Sequence, residues 1–319
     1  RDQLDIGDEP IEVAPGDVFF GLDLAPAVVP FHRGFYQHLR AQGVTVKFVV
    51  YDLQPLIPDY FEKAHEAAFL EWLWVTIEAN ELICISNSVA NDLKNWLQAN
   101  APERFQKGKI SYFHLGAEII EPVKGDINPF SNSEDLLNRM KVVPSFLMVS
   151  TLAPHKGHAQ VLRAIEILWD SGVDVNLILI GKNGWCVDDL VSRLKVHPEL
   201  GRRLFWLDGV SDKFLETLYR NATCLIAASY TEGFGLPLIE AAQYQLPIIA
   251  RDIPIFQEVA GSYAYYFDNT EPEGLAGAVK HWLELYQKCE HPIPDNMPWL
   301  TWKESAQQLL NLIIPDNTS

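Results

Sequence analysis

The sequence predicts an α/β protein of two successive domains, each built on a mostly parallel sheet and facing the other across a cleft. Three observations carry this. Short apolar runs alternate with amphipathic stretches almost from end to end, the pattern of βαβ units. The alternation breaks once, over 120–143, where Pro, Asn, Ser and Asp crowd together as in a linker. A length of 319 residues at 48% hydrophobic content suffices for two cores.

In the first half, "DVFFGLDL" (17–24) reads as a strand and Phe31–Gln42 as an amphipathic helix. "VTVKFVVYD" (44–52) is a second strand, dense in β-branched residues. A long helix over Phe61–Asn80 contains "FLEWLWVTI", an aromatic run of core type; Trp72 and Trp74 cannot share one helix face, so one is part-exposed. "LICIS" is the next strand, and Ser86 or Asn87 caps a helix that runs to Gln98. "KISYFHLG" (109–116) closes this half.

The second half restarts with strand "SFLMVS" and a helix over Gly157–Asp170. "VDVNLILIG" is the continuous apolar run of a strand buried on both faces. A helix over Val187–Val196, strand "RLFWLDG" and a Ser211-capped helix "DKFLETLYRNA" follow. Strand "TCLIAAS" leads through a glycine-containing loop into another helix and strand "LPIIA". Strand "AYYFD", a helix over Pro272–Cys289 and, after the Pro-rich 292–298, a helix "WLTWKESAQQLLNLI" complete the chain. The expected division is 1–140 with the linker, 141–300, and a C-terminal helix, 301–319, folding back on the first domain.

The formal net charge of −17 argues against nucleic-acid binding, which needs a basic face. Four widely spaced cysteines form no disulfide framework, and Cys84 and Cys224 lie in apolar runs as small core residues. No apolar run reaches the about 18–20 residues of a spanning helix, and no signal peptide is visible. These features together place the chain in the cytoplasm. It opens on Arg1 and a polar irregular stretch, which reads as a fragment or processed form of something longer.

Ligands of open α/β sheets bind beyond the carboxyl ends of the strands. The loop after "TCLIAAS" carries Glu232, Gly233, Phe234, Gly235 and Leu236, and Glu240 follows Glu232 after seven intervening residues, about two helical turns on. Glycines let backbone amides approach a ligand, and a helix start offers free N–H groups to phosphate. A carboxylate at Glu240 can take both hydroxyls of a ribose. The glutamate spacing alone arises by chance about once in such a chain. Its force comes from the strand, the glycine loop and Pro237 at a helix start.

In "STLAPHKGHAQVL", Lys156 precedes a helix and suits a diphosphate, or is a solvated surface lysine; His155 joins it as a candidate. Gly181 and Lys182 can border a ligand, and Val210 and Leu215 flank a place for a flat base; both loops read equally as plain connections. Asp23 and Asp52 end strands of the first half and either line an acceptor side or cap turns.

Together, "FLMVSTLAPHKGHAQVL", "LILIGKNGW", "LFWLDGVSDKFLETLY" and "CLIAASYTEGFGLPLIEAAQYQLPIIARDIPIFQEVAG" resemble the donor half of the retaining GT-B glycosyltransferases of family four, glycosyl transferases group 1, nearest to bacterial mannosyltransferases of O-antigen and polysaccharide synthesis. The likeness runs over about 145–313. The first half resembles the later part of that family's N-terminal domain, whose opening strand and glycine-rich loop have no counterpart here, so the domain looks incomplete. The resemblance implies two Rossmann-like domains, an acceptor-side one and a nucleotide-sugar donor one.

By the same resemblance Glu232 lies by the donor sugar, the Gly233–Gly235 amides meet sugar and phosphate, Glu240 holds the ribose, Lys156 the diphosphate, and Val210 the base through its backbone. Thr151 stands where many members carry Arg, His155 where the mannosyltransferase-like ones carry a basic residue, and Tyr51 where many carry His. The implied reaction moves mannose from GDP-mannose, a co-substrate, to a hydroxyl of a glycan or lipid-linked glycan, without metal or other cofactor. A lipid-linked acceptor would put the work at the inner membrane face. The alternatives are a UDP-sugar donor, or a catalytically silent binding or scaffold module of a larger multi-domain synthase.

Overall fold

The computed structural model describes residues 11–58, 60–117 and 133–314. The first sheet holds β1 (Val18–Gly21), β2 (Thr45–Val50), β3 (Glu81–Cys84) and β4 (Lys109–Tyr112), all parallel and in the order 1-2-3-4. The connections carry α1 (Arg33–Ala41), α2 (Lys63–Thr76), α3 (Asn87–Asn100) and the short α4 (Pro102–Lys107). In α2, Trp72 is fully buried and Trp74 lies part-exposed against Trp96 of α3, as two positions about 200° apart on a helix must diverge.

The second sheet holds β5 (Ser145–Val149), β6 (Asn176–Ile180), β7 (Leu204–Leu207), β8 (Cys224–Ala227), β9 (Ile248–Arg251) and β10 (Tyr265–Phe267). All are parallel, in the order 10-9-8-5-6-7. The chain winds outward from β5 to β7, then crosses back so that β8 pairs with the other side of β5. Strand order reverses between β5 and β8, and that reversal opens a crevice beyond their carboxyl ends. Helices α6 (His158–Asp170) and α11 (Pro272–Gln287) cover one face, where Phe146 meets the fully buried Trp282 edge-to-face at 5.8 Å. The connections also carry α7 (Asp188–Lys195), α8 (Asp212–Asn221) and α9 (Leu236–Gln243).

Three helices depart from the sequence expectation, the short α4 among them. The stretch read as linker contains α5 (Ser133–Met140), whose Leu136 and Met140 are buried; 118–132 lie outside the described residues. A further helix, α10 (Pro254–Ala260), follows β9. The last helix, α12 (Trp302–Ile313), starts on a capping box of Thr301 and Glu304. It lies against the first sheet: Ser305 donates to the His114 carbonyl at 2.7 Å, and buried Lys47 of β2 donates to the Leu312 carbonyl while pairing with Glu81 at 2.9 Å.

Helix α10 clasps the two halves together. The Glu258 carboxylate accepts from the backbone amides of Asn87 (2.7 Å) and Ser88 (2.8 Å), from Ser88 Oγ (2.6 Å), and meets His114 Nε2 at 2.7 Å. Burial would raise the Glu258 pKa, but these hydrogen bonds outweigh it and hold the group below its usual 4.5. A depressed folded-state pKa means stability that is present above pH 4.5 and lost as pH falls through the folded value. Glu258→Ala is therefore expected to destabilise by about 1–2 kcal/mol near neutrality, the range of a lost helix cap. In urea unfolding, its deficit against the parent chain should shrink below pH 4.5. A pH-independent deficit would contradict the assignment.

Candidate active site

The reversal between β5 and β8 brings two loops together. After β5 the chain makes a single 3-10 turn, Pro154–Lys156, and enters α6 through Gly157 at φ +81°. A side chain at Gly157 would collide with the Ala228 carbonyl oxygen at the end of β8, so glycine alone permits this approach. The approach sets Lys156 Nζ 2.6 Å from Glu232 Oε1, and Ser229 Oγ donates to the same oxygen at 2.8 Å. Both side chains are mostly buried, 17% and 15% exposed, so the pair interacts through a lower dielectric than water.

Past Glu232 the chain touches the first domain. The Gly233 carbonyl accepts from Ser86 Oγ at 2.9 Å, and the same hydroxyl caps α3 by accepting from Val89 N. A Cβ on Gly233 would stand 2.6 Å from the Tyr51 carbonyl oxygen. Gly235, at φ +100°, then turns the backbone into α9, with Pro237 in its first turn. The Phe234 ring is buried and meets His114 at 5.6 Å.

Asp52 faces this pair from the end of β2. Burial raises its pKa most; the Gln54 amide, 3.0 Å away, lowers it, the Glu232 charge raises it and the Lys156 charge lowers it. Asp52 thus caps its own turn and also shares an electrostatic field with Lys156 and Glu232. Asp23 does not join them. It is exposed beside Tyr51, whose hydroxyl donates to the Leu22 carbonyl at 2.9 Å.

Glu240 sits about one turn into α9, not two, because the helix starts only at Leu236. Its carboxylate accepts from Tyr219 Oη of α8 at 2.6 Å; burial raises its pKa and this bond lowers it. Leu215 and Tyr219, four apart, share a face of α8, and Val210 precedes that helix's Ser211 cap. Thr151 and Lys182 are exposed on the rim, where the loops after β5 and β6 join through Leu152 N and the Lys182 carbonyl at 3.0 Å; Gly181 ends β6 beside them.

His155 brings no cation to the rim. Its ring is 1% exposed, stacks on Phe61 at 5.7 Å and adjoins Tyr60 and Trp185. Burial first, then the Lys156 charge, push its pKa down to about 4. The sequence reading missed this aromatic group, in which Trp185 Nε1 donates to the Tyr60 carbonyl across the domains at 2.9 Å. It also missed Arg251. That guanidinium is 4% exposed, donates to the carbonyls of Ala228 (3.0 Å) and Asn269 (3.1 Å) and to Gln160 Oε1, and lies 4.0 Å over the Tyr230 ring. A charged residue closing the apolar strand "LPIIAR" was the available signal.

Between the domains lies a cavity of about 400 Å³ whose walls include Asp52, Glu232 and α3; Lys156, Val210 and Glu240 are not on it. No helix among the described residues is long and apolar enough to cross a membrane.

Among solved structures, the fold resembles a sucrose-phosphate synthase from Thermosynechococcus elongatus, at TM-score 0.66 and 17% identity over 92% of this chain and 72% of that one. It also resembles a glycosyltransferase from Rickettsia africae, at TM-score 0.61 and 19% identity over 95% of this chain and 78% of that one. The architecture is thus the GT-B arrangement of two facing α/β domains. In sequence, the chain is 45% identical over 309 residues to a serotype-specific mannosyltransferase, WbdA, of Escherichia coli. That match takes in 95% of this chain and 38% of the relative, so the chain spans well under half of that protein's length. An O-antigen chain mannosyltransferase, RfbU, of Salmonella typhimurium is 30% identical over 54% of this chain and 47% of its own. The profile of the family described as "Glycosyl transferases group 1" matches residues 137–296, taking in both loops of the strand-order reversal. The chain belongs to the glycosyl transferases group 1 family.

Proposed function

We propose that the chain transfers a hexose, mannose from GDP-mannose, to a hydroxyl of a glycan acceptor in polysaccharide or O-antigen synthesis, with retention of anomeric configuration. The observation that carries this is the Lys156–Glu232 pair, 2.6 Å apart at the β5/β8 reversal and facing Asp52. Relatives named as mannosyltransferases support the choice of sugar.

In this reading the bond from the anomeric carbon to the phosphate oxygen breaks and negative charge gathers on that oxygen. Lys156 and the amides of Gly233–Gly235 stabilise it, each well-aimed donor contributing about 3 kcal/mol. Glu232 and Ser229 hold the lysine in place. The acceptor oxygen bonds to the anomeric carbon from the face the phosphate leaves, and its proton passes to the departing phosphate. The halves touch through Ser86–Gly233 and Ser88–Glu258, and their closure on the donor would exclude water from the transfer. Val210, Leu215 and Glu240 would hold the nucleoside, with Thr151, Gly181, Lys182 and Leu236 around its diphosphate. The acceptor is a glycan, free or lipid-linked, and the chain works as part of a longer polypeptide.

The test follows GDP release from GDP-mannose with and without α-linked mannotriose, and determines the product's anomeric configuration by NMR. Acceptor-dependent release and an α-linked product are expected. GDP binding without turnover, or preferred release from UDP-sugars, would contradict the proposal.

A further inference from the structure

The cavity between the domains has a one-sided chemistry. Its charged wall groups are Asp52, Asp92 and Glu232, and among the described residues no Lys, Arg or His lines it. Ser88, Asp92 and Trp96, each four residues apart, form one row along α3 and share a wall. Trp96 is held edge-on against Trp74 at 5.3 Å and lines the cavity wall. Glu232 also lines it and pairs with Lys156, which does not. The volume of about 400 Å³ falls in the range of small-ligand sites, about 300–1,000 Å³.

A pyranose has an apolar C–H face and an edge of hydroxyls. An indole suits the face, and carboxylates and the Gln54 amide suit the edge. An anionic sugar meets Asp52 and Asp92 with no cation on the wall itself, since the Lys156 ammonium is already paired with Glu232, and burying like charges together is costly. Asp92 is solvent-exposed on this wall, its pKa raised by partial desolvation, and so is open to hydroxyl donors.

We infer that the α3 row selects the acceptor: Trp96 and Asp92 seat the terminal residue of a neutral glycan in this cavity and turn away sugar phosphates and uronic acids. This rests on the proposed transfer reaction for its biological meaning, but the binding itself can be measured apart from turnover.

Calorimetry on the whole chain in the presence of GDP compares α-linked mannotriose with the same trisaccharide phosphorylated on its terminal residue. The neutral probe is expected to bind at least about tenfold more tightly. Trp96→Ala should weaken mannotriose binding about tenfold or more, in the range of an aromatic anchor, with GDP affinity changed less than about twofold. Asp92→Asn, which keeps the shape, should narrow the gap between the two probes. Equal binding of the two probes, no binding of mannotriose, or unchanged affinities in both variants while GDP still binds, would overturn the inference. Failure of GDP-mannose turnover with these affinities intact would instead strike the proposed function.

Discussion

Lys156→Ala is expected to lower kcat about 100- to 1,000-fold, with a smaller change in donor KM. The magnitude is that of a donor aimed at charge that develops only in the transition state. The structure adds a second reason. Lys156 is the cation paired with Glu232, and its charge also lowers the pKa of Asp52. Without it, two carboxylates face each other beside a bound anion and oppose the departing phosphate. Glu232→Gln tests the same pair from the other side: it keeps the shape but gives up the charge that anchors the ammonium, and kcat should again fall. Steady-state kinetics on both variants decide the matter. A raised KM with unchanged kcat would mean that the pair only binds the ground state.

Gly157→Ala is expected to cost about 2–5 kcal/mol of stability. Its left-handed backbone contributes about 1–2 kcal/mol of that, and forcing a methyl against the Ala228 carbonyl contributes about 1–3 kcal/mol more. Gly172→Ala supplies the control, since Gly172 has φ +85° but open space around its missing side chain. It should cost only the conformational part, about 1–2 kcal/mol. Urea unfolding of both variants separates the two contributions. Equal losses would show that the close approach of the β5 and β8 loops is not what requires glycine at 157. Activity of Gly157→Ala should fall further than its stability, because the same displacement carries Lys156 away from Glu232.

Strands and helices were legible where burial is continuous. "VDVNLILIG" and "TCLIAAS" are apolar because both faces of their sheet are covered, and they became β6 and β8. Helix α5 was hidden because its "SEDLLNRM" core sits inside polar, turn-forming flanks, although Leu136 and Met140 keep the four-residue spacing of one helix face. Helix α10 escaped because it is seven residues long and begins at a proline. Strand order was not legible at all, since the return from β7 to β8 leaves no local mark.

The same holds at the site. Lys156 and Glu232 were each readable from a loop that follows a strand, but their contact spans 76 positions and depends on the reversal of strand order. The contributions of Ser86 and Glu258 cross between domains, and only the cap role of Ser86 has a local signature. His155 was readable as a candidate donor contact, but its burial among aromatic rings from both halves, which with the Lys156 charge pushes its pKa down to about 4, has no local mark.

Diffraction from crystals soaked in GDP-mannose tests the account most directly. The account predicts diphosphate density within hydrogen-bond distance of Lys156 Nζ and the Gly233–Gly235 amides, with the ribose at Glu240 and the hexose beside Glu232. Nucleotide density away from the β5/β8 reversal, or a Lys156–Glu232 pair untouched by the bound donor, would contradict it.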